Sequence, residues 1–191
     1  MKLPRNYDKS VTLEALAEGH CKSVGNARRL IDDGEILIKC ERYLGAINSF
    51  MLATEELAKA HLIDQTVAFS HNDKKKWKWF WNAFPKHKEK IRLLNYSFHW
   101  KSNHDKEGFG KKVNYLMSKR LESIYVDFDT KDEKFLSPEE VFSTGIDIKD
   151  CAIIEQKYAL VLFNMFIIAG MPIPEIKLKA YKLYRKTEKI D

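Results

Sequence analysis

The sequence predicts an all-α protein built as an antiparallel bundle of helices. Its apolar residues recur at helical spacing over long stretches, most clearly in AINSFMLATEELAKAHLI at 46–63. Only eight Gly and five Pro occur in 191 residues, few for a β protein with many turns. One short stretch, YVDFDT at 125–130, alternates as a strand would. Hydrophobic residues at 45% and charged residues at 31% exclude a disordered chain, and we expect one domain over residues 1–191.

The first helix is predicted to begin after Ser10 or Thr12, because either hydroxyl could cap its first turn. Its apolar pattern continues to about Lys39. A tight connection is expected at 41–43, before the next apolar pattern begins. Two long helices joined so closely should form an antiparallel hairpin.

The second helix, over 46–63, is apolar nearly all round, which is typical of a buried central helix. Its second half nevertheless contains Glu55, Glu56 and Lys59, which can pair across one turn. Two interpretations remain open. These residues form a surface pair on the one stripe that meets solvent, or they form a polar site that faces another helix. The second is attractive because carboxylates in an apolar helix are costly unless paired.

A third helix is predicted over 76–98, kinked or ended locally at Pro85, because proline removes a donor and clashes with the previous turn. The later predicted elements are, in order, a loop over 95–109, a helix over 109–123, an extended segment over 125–130, a helix start at 137–140, a helix over 149–169 and a last helix over 174–185. The most apolar run, 158–171, is well short of the ~20 residues that span a bilayer, so we expect no membrane segment.

The cysteines and the N-terminal residues indicate a cytoplasmic protein. Cys21, Cys40 and Cys151 are odd in number and widely spaced, without a CxxC pair. This pattern argues against a disulfide framework and against a cysteine zinc site, and it fits a reducing compartment. The first residues contain no apolar run of the kind that marks a signal peptide. We expect no metal and no cofactor.

Positive charge is concentrated between residues 73 and 101, where nine Lys and Arg face two acids, a local balance of +7 against +6 for the whole chain. Tryptophan and phenylalanine are interleaved with these bases, a combination that suits nucleic acid. The alternative is that the aromatic side chains face the core and the lysines are merely solvated. The candidate nucleic-acid-binding residues are Lys74, Lys75, Lys76, Lys78, Lys86 and Lys88.

Two pairs in the same segment are candidates for proton transfer. His87 and Lys90 are three apart and share a helical face. Arg92 and His99 are seven apart and share a face if the helix persists between them. A histidine in such a pair could act as a general base near neutral pH. A structural role is the alternative for each pair.

Four motifs together resemble one protein family. EELAK at 55–59, WxxFxxHKEK at 81–90, YVDFD at 125–129 and SPEE at 137–140 occur in the order found in bacterial abortive-infection proteins of the AbiV family. The resemblance runs over about 30–169. The family is part of the HEPN superfamily of helical domains, many of which are metal-independent ribonucleases. The resemblance implies a HEPN-like antiparallel bundle with additional C-terminal helices, acting in phage defence.

The resemblance also implies a functional site. The family's polar cluster maps onto Glu55, Glu56, Lys59, His87 and Lys90. HEPN ribonucleases carry Arg, then four to six intervening residues, then His. Asn82 stands at that position before His87, and Arg92 with His99 is the pair of permitted spacing.

Two functions follow from the resemblance and stay open. One is growth or translation arrest through metal-independent RNA cleavage. The other is non-catalytic binding of RNA or of a protein. HEPN relatives commonly dimerise, so the resemblance implies a homodimer. It also implies RNA or the translation machinery as a target and a phage protein as a trigger.

Overall fold

The structure is a computed structural model that describes residues 8–69, 72–99, 127–129, 134–138, 147–167 and 173–187. Within those ranges lie six helices with described bounds and one short two-stranded sheet. The elements are α1 (Leu13–Lys39), α2 (Tyr43–Thr66), α3 (Lys74–Ala83), α4 (His87–His99), β1 (Asp127–Asp129), β2 (Lys134–Leu136), α5 (Ile148–Phe166) and α6 (Pro174–Thr187). The fold is an all-α bundle with additional C-terminal helices, as predicted.

The hairpin of α1 and α2 forms as predicted, with Thr12 rather than Ser10 as the cap of α1. The Thr12 hydroxyl accepts a hydrogen bond from the Ala15 amide at 3.2 Å. At the other end, Glu41 adopts a left-handed conformation with φ of 57°. Its amide donates to Ile38, and the next amide, of Arg42, donates to Leu37. This arrangement is a Schellman motif, which turns the chain within three residues.

Helix α2 lies at the centre of the bundle, and α1, α4 and α5 pack around it. Its side chains Ile47, Phe50 and Leu57 are at most 1% exposed and form one core with residues of α1, α4 and α5. Helix α1 approaches α2 closely at Gly34, where an added Cβ would lie 2.5 Å from Phe50 Cε1. The buried central helix is therefore confirmed, three residues longer at each end than predicted.

The predicted third helix is two helices, α3 and α4, separated by residues 84–86. Pro85 lies in that connection, so the predicted break is present. Asp73 begins α3 by accepting a hydrogen bond from the Lys76 amide at 3.1 Å. The predicted loop over 95–109 is wrong for its first five residues, which continue α4 to His99. No Gly or Pro lies between Pro85 and Gly108, so no residue there forces the helix to end at Asn95.

The small sheet pairs Phe128 with Phe135 in an antiparallel register. It confirms the extended segment at 127–129, whereas the partner strand at 134–136 was not predicted, because three residues show no clear period. Pro138 is helical, as expected for a helix start, and the rest of 137–140 after it lies outside the described residues. The predicted helix over 109–123 lies outside them as well.

Helices α5 and α6 complete the described structure. Asp147 begins α5 by accepting a hydrogen bond from the Lys149 amide at 2.8 Å, and α5 packs against α1 and α2. Helix α6 packs against α1 and runs two residues beyond the predicted end at 185. Of the described helices, none is both long enough and apolar enough to cross a bilayer.

Candidate functional site

Glu55 of α2 and His87 of α4 meet where the two helices pack together. His87 is the first residue of α4, because the chain turns at Pro85 and the helix begins again two residues later. The Glu55 side chain is only 4% exposed, and its Oε2 forms a hydrogen bond with Nδ1 of His87. The contact joins residues 32 positions apart in the sequence. It connects two of the motifs that the sequence analysis singled out.

The direction of this hydrogen bond sets the chemistry of the imidazole. An ionised carboxylate only accepts hydrogen bonds, so Nδ1 of His87 must donate the proton to Glu55. In the neutral ring Nε2 then carries the lone pair and is the basic atom. The His87 side chain is 49% exposed, in contrast to its buried partner. The arrangement is therefore an accessible base held by an inaccessible carboxylate, the relation found in catalytic triads.

Lys90 lies one turn after His87 and is almost entirely buried, at 2% exposure. Its ammonium Nζ is 6.0 Å from the centre of the Phe84 ring, within the range of a cation–π contact. A buried ammonium is costly unless other groups stabilise it. Lys90 thus places positive charge inside the bundle, close in sequence to His87.

Glu56 and Lys59 form a second unit on α2. Lys59 Nζ lies 2.5 Å from Glu56 Oε1, and both side chains are partly exposed, at 27% and 16%. Among the described residues, neither side chain forms a hydrogen bond or ion pair with His87. The structure brings Glu55 and His87 together, whereas Glu56 and Lys59 pair with each other.

The alternative pair, Arg92 and His99, lies on α4, which continues through both residues. Arg92 donates from Nε and Nη2 to Glu89 Oε2, at 3.1 and 2.9 Å, on an exposed part of the helix. The side chain of His99 lies outside the described residues. The guanidinium charge of Arg92 is therefore already matched by an acid one turn earlier.

The six candidate nucleic-acid-binding lysines, Lys74, Lys75, Lys76, Lys78, Lys86 and Lys88, are all exposed. Lys76 pairs with Asp73 at 3.4 Å. The other five form no ion pair with any acidic residue that the structure describes. The aromatic side chains of α3 mostly face inward, as the alternative interpretation held. Trp77 and Phe80 are at most 2% exposed, and Trp79 at 40% is the exception.

A second polar cluster, around Asp64 near the end of α2, was not predicted. Asp64 lies 3.4 Å from Nε2 of His20 and 3.0 Å from Nζ of Lys177, and it accepts a hydrogen bond from the Tyr181 hydroxyl at 2.6 Å. Burial acts to raise the pKa of Asp64, but the hydrogen bonds and positive charge of these partners outweigh it and lower the pKa to about 2.

The Asp64 cluster joins α1, α2 and α6. Arg185 of α6 strengthens the attachment by donating to the backbone carbonyls of Val67 and Phe69, at 2.8 and 3.2 Å. Asp64 was not predicted as a site residue because the second helix was predicted to end at Ile63, one residue before it. Residues 64–66 contain no Gly or Pro, and this is the signal that could have extended the predicted helix to include Asp64.

Across the described residues, no three or more His, Cys, Asp and Glu side chains are grouped closely enough to hold a metal ion. The site is defined by an acid, an imidazole and a buried ammonium instead.

Comparison with known proteins identifies a family for most of the chain. The AbiV family of HEPN domains matches residues 15–152, more than two thirds of the 191-residue chain. That range begins two residues inside α1 and contains the rest of α1, α2 to α4, the β sheet and the start of α5, whereas α6 lies beyond it. No curated protein and no solved structure matches the chain significantly.

A helical bundle around α2, together with a family match over most of the chain, identifies a HEPN-type domain. The resemblance that was predicted over about 30–169 is confirmed, and the matched range, 15–152, begins and ends earlier in the chain. The chain belongs to the AbiV family.

Proposed function

We propose that this chain is an abortive-infection effector of the AbiV type, which arrests growth of the infected host by acting on RNA. The observation that carries the proposal is the half-exposed imidazole of His87 held by the buried carboxylate of Glu55. The family relation supports the defence role. The exposed lysines of α3 and of the α3–α4 connection supply the attraction for phosphate.

In the catalytic form of this proposal, Nε2 of His87 takes the proton of a ribose 2′-hydroxyl. The 2′-oxygen then attacks the adjacent phosphorus, and the bond from phosphorus to the 5′-oxygen breaks. The leaving oxygen takes a proton from water. The products are a 2′,3′-cyclic phosphate and a 5′-hydroxyl, and the reaction needs no metal.

The other two groups would assist the reaction without touching the substrate. Glu55 orients the imidazole and stabilises the imidazolium that forms when the proton is transferred. Lys90, buried one helical turn after His87, would supply positive charge that favours the increased negative charge of the transition state.

A second candidate function is RNA binding without cleavage, and a specific observation favours it. At the position where HEPN ribonucleases carry Arg, this chain has Asn82, which is exposed and neutral. Arg92 is paired with Glu89. In this form the protein would arrest translation by occupying RNA or the translation machinery. A phage protein would be the trigger in either case, and a protein target in place of RNA is the remaining alternative.

Incubation of the purified protein with total RNA in EDTA tests the proposal. The wild-type protein should produce fragments that end in 2′,3′-cyclic phosphate, and the His87→Ala variant should not. Lys22→Ala, an exposed change on α1 far along the chain from His87, is the matched control. Salt-dependent binding without fragments would select the non-catalytic form. If the protein neither binds RNA nor produces fragments, the proposal that it acts on RNA is wrong.

We also propose that the protein forms a homodimer through the outer face of α5. Three large apolar side chains on α5, Ile154, Val161 and Met165, are 52 to 59% exposed, although they belong to a helix whose other face is in the core. They are seven and four residues apart and so lie along one side of the helix. Exposed apolar surface of this kind is normally covered by a partner.

A further inference from the structure

Helix α3 has two sharply different faces. Trp77, Phe80 and Ala83 recur every three residues and are buried, at 0 to 5% exposure. The residues of the opposite face are exposed. Because successive residues are 100° apart around a helix, these residues span less than half of its circumference. These residues are Lys74, Lys75, Lys78, Trp79 and Asn82. We call them the outer face of α3.

Trp79 is the unusual member of this face. An indole ring gains stability when it is buried, and yet Trp79 remains 40% exposed while its neighbours Trp77 and Phe80 fill the core. Its ring makes an edge contact with Phe69, with 6.1 Å between the ring centres and 62° between the planes. Phe69 contacts Trp77 in turn, at 5.7 Å. The exposed indole is thus positioned by aromatic neighbours of the core.

The charges around Trp79 are not matched within the described structure. Lys75 lies one helical turn before Trp79, and Lys74 and Lys78 belong to the same outer face. None of the three forms an ion pair with a described acidic residue. Exposed ammonium groups without acidic partners attract phosphate, whatever the sequence of the nucleic acid.

The outer face also leads towards the candidate site. Lys86 and Lys88 are exposed on either side of His87, which follows the end of α3 by four residues. The exposed lysines of α3 and those that flank His87 are therefore close together in the sequence, and a bound strand could contact both sets.

We propose that the outer face of α3 binds unpaired nucleotides of an RNA strand. One base stacks on Trp79, the lysines contact the neighbouring phosphates, and the side-chain amide of Asn82 can hydrogen-bond to a base edge. Unpaired nucleotides are specified because a paired base is stacked between its neighbours and cannot offer its face to an indole. The inference rests on the proposed function, and it adds the class of RNA that the protein selects.

Binding of two fluorescently labelled RNAs tests the inference: an unstructured single strand and a hairpin of equal length. Both should carry 2′-O-methyl groups, which remove the nucleophile for cleavage. Wild-type protein should prefer the single strand. Trp79→Ala should weaken single-strand binding roughly 5- to 100-fold, the range found for loss of one stacking contact, and should leave hairpin binding nearly unchanged. Trp79→Phe should retain most of the affinity, because phenylalanine also stacks.

The matched control is Tyr184→Ala on α6, because that aromatic residue is 43% exposed and is far from α3 in the sequence. A double change of Lys75 and Lys78 to Ala should weaken binding of both RNAs and reduce the salt dependence. Unchanged single-strand affinity in Trp79→Ala would overturn the inference and leave the proposed function intact. No binding of either RNA by the wild-type protein at low salt would overturn both.

Discussion

A carboxylate packed between helices needs a hydrogen-bonding or positively charged partner, and the central helix meets this need in two different ways. Asp64 has three partners, and each belongs to another helix of the bundle, so the cluster serves to attach α6. Glu55 instead holds His87, half of whose side chain is exposed. The first arrangement leaves 32% of the Asp64 side chain exposed but ties its carboxylate to groups of two other helices, whereas the second leaves half of an imidazole exposed. This difference is why we propose Glu55 and His87, and not Asp64, as the functional pair.

The low pKa of Asp64 predicts a specific dependence of stability on pH. The pKa falls from 3.8 to about 2 on folding, so the ionised form stabilises the protein fully above about pH 4. That stabilisation is lost as the pH falls from 4 to 2. Asp64→Asn should therefore lower the free energy of unfolding by about 1–2 kcal/mol at pH 7. The deficit should shrink steadily below pH 4.

Urea unfolding at several pH values measures this effect. The control is Asp32→Asn, which removes an exposed ion pair with Arg28 on the surface of α1 and should change stability by less than about 1 kcal/mol. A deficit in Asp64→Asn that stays constant down to pH 2 would contradict the assignment.

For individual residues, the sequence indicates which residue types are important, but it predicts their contacts less well. The EELAK stretch indicated a polar site within an apolar helix, and the structure places Glu55 at a contact with α4. The sequence could not distinguish Glu55 from Glu56, because adjacent residues differ by 100° around a helix and the direction of α4 is a tertiary property. Asp64 was missed because its partners are 44 and more than 110 residues away in the sequence.

At the scale of elements, the close packing of α1 on α2 depends on Gly34. A Cβ there would lie 2.5, 2.7 and 2.9 Å from three atoms of the buried Phe50 ring. Gly34→Ala should therefore lower the free energy of unfolding by about 1–3 kcal/mol, because the ring must move within a dense core. For a chain of this length, each 1 kcal/mol corresponds to roughly 2–4 °C in melting temperature.

Gly25 provides a matched control on the same helix. Apart from its chain neighbours and the backbone of its own helix, no atom lies within 4 Å of a Cβ built there, so Gly25→Ala should gain up to about 1 kcal/mol from helix propensity alone. The two substitutions are chemically identical and should move the melting temperature in opposite directions. A loss of stability in both variants, or in neither, would show that the contact with Phe50 does not limit the packing.

The elements themselves were largely predictable, since helical periodicity, Pro85 and the caps are local signals. The exceptions have physical reasons. The end of α1 was placed correctly, but its Schellman motif could not be predicted, because Glu41 occupies the left-handed position that glycine usually takes. The loop predicted from residue 95 was wrong because Asn and Ser only weakly oppose a helix that no proline or glycine interrupts.

At the scale of the whole molecule, the proposed homodimer can be tested by mass. Light scattering at micromolar concentration should give about twice the chain mass of 22.4 kDa. Val161→Lys should convert the dimer to a monomer, because a lysine would be buried at the apolar centre of the contact. Ile176→Lys is the control, since Ile176 is similarly exposed at 56% but lies on α6. A wild-type monomer would contradict the proposal.

The overall bundle and the family were predictable because four separate motifs agreed in order, and the match over residues 15–152 confirms this relation. The attachment of α6 was not predictable. Its inner stripe contains Lys177, Tyr181 and Arg185, polar residues that a sequence analysis assigns to solvent, while Ile176 and Leu183 are exposed. These polar side chains of α6 face the bundle because residues of α2 and the chain after it supply their hydrogen-bonding and ionic partners.

The central claim is that His87 acts as a base oriented by Glu55, and one substitution tests it most directly. His87→Gln keeps an N–H donor for Glu55 but removes the basic nitrogen. Expression of this variant in bacteria, beside the wild type, should show complete loss of growth arrest, with a melting temperature of the purified protein within about 2 °C of the wild type. Retained growth arrest at an unchanged melting temperature would contradict the account, because His87 would then serve only to hold α4 against α2.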